Sequence, residues 1–238
     1  MIIFQSPEEK SRENVLEQRK LDESLTKKIL ARIFIQSLKL GEFGNSLDTL
    51  ILNESIKPGY MPQQVFSEYL RELEHHGLIF FEEDSPRLTP VGRKEIVVVM
   101  VGGSFDIIHP GHIETLREAK KLGDLLAVSV ARDSTYKRNK HKDPLHGEKL
   151  RRELVCSIKF VDLAVLGSEK DIFETVHFLK PDIIALGYDQ THSERAIKEG
   201  ARRAGIESKV VRLDSKVPKI KTSSILDSDD RNELLSGT

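Results

Sequence analysis

From Ile96 onward, short apolar runs alternate with amphipathic stretches of helical length. The runs are IVVVMVGG, LLAVSVA, LAVLG, DIIALGY and KVVRLD. Between them, Ile113–Leu122, Gly147–Lys159, Asp171–Leu179 and Ser193–Ala204 repeat apolar residues at helical spacing. A run that is apolar at every position predicts a strand covered on both faces, as in a parallel sheet. Strand and helix in alternation predict βαβ units. This half is therefore expected to be α/β, a doubly wound parallel sheet.

The amino-terminal pattern is different. Ser6 as N-cap, Pro7 at the first helical position and Glu9 at capping-box spacing predict a long helix that stops at Gly41. Shorter helical patterns follow at Leu47–Ile56 and Pro62–His76, the second stopped by Gly77. The stretch LIFFEEDSPRLTPVGRKEI then reads as a hairpin with an acidic turn at Pro86. Helices followed by a hairpin resemble a winged-helix domain. The expected division is a smaller, mostly helical winged-helix-like domain over residues 1–93 and the α/β domain over residues 94–238.

Charge narrows the partners. Lys and Arg number 37 against 38 Asp and Glu, a balance without general attraction for nucleic acid or anionic membranes. Cys156 is the single cysteine, which excludes a disulfide framework within one chain and fits a reducing compartment. The start, MIIFQSPEEKSREN, lacks the order of a signal peptide, and no apolar stretch reaches membrane-spanning length. A cytoplasmic protein with no membrane partner is expected.

The candidate chemistry lies where the first βα turn falls, at GGSFDIIHPGH. Pro110 suits the first turn of a helix, and Gly111 leaves room for close approach by a ligand. A helix start presents free N–H groups and partial positive charge, which favour phosphate. His109 and His112 can add imidazole donors to phosphate oxygens. An isolated H-x-x-H is more often a polar helix start. A zinc site would need further ligands, and Cys156 has no companion cysteine.

The whole string resembles the G-x-F-D-x-x-H-x-G-H signature of the nucleotidyltransferase superfamily, with Gly103, Phe105, Asp106, His109, Gly111 and His112 in register. That resemblance implies a Rossmann-like sheet and a nucleotide site formed by Gly103, Ser104, Phe105, His109, Pro110, Gly111 and His112. RRELVCSIKFVDLAVLG resembles the family's arginine-bearing helix, which implies that Arg151 holds phosphate. DIIALGYDQTH resembles the strand and loop that meet base and ribose, with Asp189 as the contact. KIKTSSIL resembles the start of the last helix, where Thr222, Ser223 and Ser224 would meet the β- and γ-phosphates. In ARDSTYKRNKHKDP, a loop in this reading, Lys137, Arg138, Lys140 and Lys142 form a charge run of the kind that usually faces solvent. The family's loop carries lysines that reach the triphosphate, which makes Lys140 and Lys142 candidate catalytic residues. Asp106 reads either as a magnesium ligand or, preferably, as a hydrogen-bonding residue that fixes the turn.

The implied reaction is in-line attack of a substrate phosphate on the α-phosphorus of a nucleoside triphosphate, with Mg2+ carried by the nucleotide and no metal site of the protein's own. FDIIHPGHI, ARDST, FLKPDIIALGYDQTH and TSS are most similar to the archaeal FAD synthases, which implies ATP and FMN as substrates. A glycerol-3-phosphate cytidylyltransferase using CTP is the alternative, with another phosphomonoester as acceptor.

A reading of another class makes the chain a winged-helix DNA-binding regulator with a nucleotide-sensing domain. Against it, Met1–Glu95 carries 13 Lys and Arg against 16 Asp and Glu. The presumed reading helix, PQQVFSEYLRELEHHG, sets Arg71 against Glu68, Glu72 and Glu74, a poor match to phosphate. Val15, Leu16, Ile29, Leu30 and Ile33 need an apolar partner surface, so the amino-terminal half is expected to supply a homodimer contact.

Overall fold

The computed structural model describes residues 21–40, 50–52, 62–188 and 190–214. The α/β half follows the periodicity closely. Strands β4 (Val98–Gly103), β5 (Leu125–Val130), β6 (Leu163–Leu166), β7 (Ile183–Leu186) and β8 (Lys209–Arg212) form a parallel sheet. Helices α4 (Pro110–Lys120), α6 (Glu148–Cys156), α7 (Ile172–Leu179) and α8 (Glu194–Arg203) connect them. The spatial order β6-β5-β4-β7-β8 reverses direction at β4, the doubly wound Rossmann-like arrangement.

Successive side chains of a strand face opposite ways, so the sheet feeds two cores. Val99, Val101, Leu126, Val128, Val130 and Ala164 pack with Leu116 of α4 and Val155 of α6. Val98, Met100, Leu125, Ala127, Leu163 and Val165 share the other core with Val176 and Leu179 of α7 and with Ile197 of α8. There α8 approaches α7 so closely that a β-carbon at Gly200 would lie 1.9 Å from the Phe173 ring.

Three aspartates staple the starts of these strands. Asp124 Oδ2 accepts from Val97 N at 2.8 Å, Asp162 Oδ2 from Leu126 N at 2.6 Å and Asp182 Oδ2 from Val98 N at 2.7 Å. Each lies just before β5, β6 or β7, so the staples line the amino-terminal edge of the sheet.

The amino-terminal part contains α1 (Glu23–Leu40), β1 (Leu50–Leu52), α2 (Gln63–His75), the hairpin β2 (Ile79–Glu82) and β3 (Ser85–Leu88), and α3 (Pro90–Lys94). Two readings need correction. The described first helix starts at Glu23, where Asp22 Oδ1 accepts from Leu25 N at 2.7 Å; the proposed cap at Ser6 lies outside the described residues. Leu50–Leu52, inside the helical pattern read at Leu47–Ile56, is a strand paired antiparallel with β6. Edge pairing outweighed a weak local periodicity there.

The hairpin agrees with its pattern. Its tight turn places Glu83 and Asp84 in the left-handed region, φ 46° and 61°. Thr89 then caps α3 by accepting from Gly92 N at 3.0 Å.

Ile29, Leu30 and Ile33 of α1 are buried in the same core as Val98, Met100 and Leu163. The apolar partner they require is within their own chain, so these three residues give no reason to expect a second subunit. Val15 and Leu16 lie outside the described residues. Polar ties reinforce the junction. Arg93 donates to Asp182 Oδ2 at 3.0 Å and to the Lys180 carbonyl at 2.8 Å, and its guanidinium lies 4.9 Å from the Phe34 ring centroid. Lys27 stands 4.0 Å from Asp124. These contacts fall at the amino-terminal edge of the sheet.

Candidate active site

The site begins at the opposite edge. β4 is the strand from which the parallel sheet runs outward in both directions, so the chain leaving it opens onto the crevice at the switch point. Phe105 takes φ 53°, a left-handed conformation, and buries its ring. A β-carbon at Gly103 would come within 2.7 Å of that ring, which explains the glycine. His109 is the N-cap of α4 and Pro110 its first residue, but the His109 side chain does not close the helix end.

His109 and His112, three apart, fall on one face of this start. Their rings stack with centroids 3.9 Å apart, and His112 also lies 5.1 Å from the Phe105 ring. Gly103, Ser104, Phe105, His109, Pro110, Gly111 and His112 are thus brought together in one turn.

Arg151 has a different environment from the one its resemblance implies. Its side chain is fully buried. Nε donates to the His146 carbonyl at 2.8 Å, Nη1 to the Ser104 carbonyl, and Nη2 to the Ala131 carbonyl at 2.8 Å and Asp133 Oδ1 at 2.7 Å. A guanidinium spent on three carbonyls and a carboxylate braces loops and is not presented to phosphate.

The charge run taken as a loop contains helix α5 (Asp133–Lys140), which ends with His141 at φ 56°. Glu148 fixes its start, accepting from Asp133 N and Arg132 Nη1 at 2.8 Å each. The helix was not legible because Tyr136 is its one buried side chain, so it has no apolar stripe. Lys140 and Lys142 are exposed, beyond that anchor.

Two residues that sequence reasoning missed hold the loop after β7. Gln190 Nε2 donates to the Gly102 carbonyl at 2.7 Å and so ties this loop to β4. Arg212 of β8 donates to the carbonyls of Gly187 at 3.0 Å, Gln190 at 2.9 Å and His192 at 2.6 Å. Asp189 lies outside the described residues, as do Thr222, Ser223 and Ser224. No local motif marks Gln190 or Arg212, because each acts across strands.

The chain also matches known proteins in sequence. A family model described as cytidylyltransferase-like matches residues 100–236. The chain belongs to the cytidylyltransferase-like family. The FAD synthase of Aciduliprofundum boonei is 57% identical over 118 residues, which are 50% of this chain and 78% of that protein. That of Thermoplasma acidophilum is 47% identical over 131 residues, 55% of this chain and 92% of that protein. A solved structure described as a lipopolysaccharide core biosynthesis protein from Thermoplasma volcanium GSS1 is 48% identical. It covers 50% of this chain and 98% of that chain, with a TM-score of 0.48.

Among the described residues, no group of three or more His, Cys, Asp or Glu side chains gathers to hold a metal ion. Imidazoles and backbone N–H groups suit phosphate better than a hard cation, which takes oxygen ligands. Cys156 is buried, and that burial pushes its thiol up to about 11, away from the thiolate form. No described helix is long and apolar enough to cross a membrane.

Proposed function

We propose that this chain transfers AMP from ATP to FMN, giving FAD and pyrophosphate. An oxygen of the FMN phosphate attacks the α-phosphorus of ATP in line. The bond from that phosphorus to the bridging oxygen breaks, and pyrophosphate takes the electron pair. The observation that carries this reading is the GGSFDIIHPGH turn at the switch point of the sheet, with its stacked histidines at a helix start. Relatives named FAD synthase, 45–57% identical, point to ATP and FMN as the substrates.

The protein's part is positioning and charge stabilisation, with no covalent intermediate. His109, His112 and the amino terminus of α4 would hold the phosphates as charge develops. Lys140 and Lys142 would neutralise the departing pyrophosphate, while Asp189, Thr222, Ser223 and Ser224 would complete the nucleotide site. Magnesium would arrive on the triphosphate and screen its charge. A cytoplasmic setting fits the single buried thiol.

The test is product identification. The full chain is incubated with Mg2+, ATP or CTP, and FMN or glycerol 3-phosphate, and the products are separated. FAD formed from ATP and FMN is expected; a product formed only from CTP and glycerol 3-phosphate would replace this reading with the cytidylyltransferase one.

A further inference from the structure

We infer that Asp106 is a positioning residue that anchors both ends of the cationic segment Lys137–Lys142 to the phosphate-binding turn. The inference rests on the proposed contact between that segment and the triphosphate. Asp106 lies three residues before His109 and is 3% exposed. Its Oδ2 accepts from the Tyr136 hydroxyl at 2.9 Å and from Leu145 N at 3.1 Å, and Oδ1 accepts from His146 N at 3.0 Å. The Asp106 carbonyl also meets His146 Nδ1 at 2.9 Å.

Tyr136 is the residue before Lys137, and Leu145 follows Lys142 by three. The segment therefore leaves one carboxylate and returns to the same carboxylate. Between those feet stand Lys137, Arg138, Lys140 and Lys142, all exposed, against the single acid Asp143. Asp143 lies 3.1 Å from Lys137, which leaves Lys140 and Lys142 toward the far end.

The choice of a carboxylate is informative. Burying a charge carries a desolvation cost unless hydrogen bonds offset it. The hydrogen bonds that offset it at Asp106 come from the two ends of this segment. The carboxylate is thereby committed to the segment and not offered to a metal ion. Arg151 supports the arrangement from beneath by holding the Ser104 and His146 carbonyls on either side of the anchor.

Flexible lysines on a free loop would have to be ordered at every turnover. Feet fixed to the residue beside the histidines hold the cations and imidazoles in one frame before substrate arrives. Asp106 thus acts on the reaction through the lysines and touches no substrate itself.

A double-mutant cycle on the full chain tests this. Asp106→Asn and Tyr136→Phe are each made alone and combined with Lys140→Ala/Lys142→Ala. Pyrophosphate release and FAD formation are measured with Mg2+, ATP and FMN, beside thermal melts. In the parent chain, each anchor variant should lower turnover by about tenfold to a hundredfold, with a smaller effect on the KM for FMN. In the lysine-free background the same substitutions should cost little more, because the group they position is gone. Full additive losses would overturn the inference by showing that Asp106 acts independently of the segment. Unchanged turnover in the anchor variants would also overturn it. Wild-type turnover in the lysine variant would remove the proposed contact of the segment as well. If Asp106→Asn does not fold, Tyr136→Phe carries the cycle without disturbing a charge. Equilibrium ATP binding to the same variants without FMN reports the segment, and FAD formation reports the acceptor, so the two proposals can fail separately.

Discussion

The imidazole rings of His109 and His112 stack with centroids 3.9 Å apart and planes 30° from parallel. Stacking fixes the pair as one unit on the first turn of α4, beside the Phe105 ring. His112→Ala is therefore expected to remove a donor and loosen its neighbour. Turnover should fall by about two to three orders of magnitude, as for loss of one preorganised donor, while ATP affinity changes far less. Steady-state kinetics with equilibrium ATP binding decide it. Near-native turnover would make the pair a packing feature of the helix start.

The βαβ strands were legible because parallel strands are covered on both faces, so their whole length is apolar. Pro110 marked the start of α4 because few other positions accept proline so readily. What escaped notice depends on distant partners. Asp106 and Tyr136 are 30 residues apart, and nothing local signals their hydrogen bond. Arg151 reads as a phosphate-holding arginine until the four acceptors around it are seen. Leu50–Leu52 is a strand only because β6 offers it an edge.

Arg151→Met should destabilise the chain and not simply weaken ATP. It removes the partner of the partly exposed Asp133 and leaves three part-buried carbonyls with fewer donors. Leaving even one such acceptor unsatisfied costs roughly 1–3 kcal/mol. Arg151→Lys should recover little, since one ammonium cannot reproduce the planar fork. Urea denaturation measures both. A variant with parent stability and impaired ATP binding would return Arg151 to the phosphates.

Tyr136 should be a late-titrating tyrosine. Burial, then its hydrogen bond and proximity to Asp106, push its hydroxyl from 10.0 up to about 12. A raised folded value means that the hydroxyl's contribution to stability is complete below pH 10 and is lost as pH rises through 12. Ultraviolet phenolate titration should show a phase near pH 12 that Tyr136→Phe removes. Over the same alkaline window, the stability difference between parent and variant should shrink. Titration of Tyr136 at the ordinary value would mean that its hydroxyl is not held by Asp106 in solution.

The division of the chain at residue 93 can be tested from the core outward. The FAD synthase matches take about half of this chain but most of each relative, and the cytidylyltransferase-like family model begins at residue 100. Yet Ile29, Leu30, Ile33, Phe34 and Ile35 share one buried core with Val98, Met100, Leu125 and Leu163 of the sheet. Each fully buried large apolar side chain contributes about 1.5–3 kcal/mol. Uncovering several facing positions is therefore comparable with a whole domain's net stability of about 5–15 kcal/mol. A chain beginning at Arg93 retains the signature turn but loses this cover. It should melt earlier, self-associate through the bared sheet face and transfer nucleotide less efficiently per chain. Light scattering with calorimetry on both lengths tests this. A stable, monodisperse short chain with full activity would establish residues 94–238 as an independent unit. A lower oligomeric state on removal of the first half would instead assign that half a subunit contact, through surfaces other than the face that α1 buries.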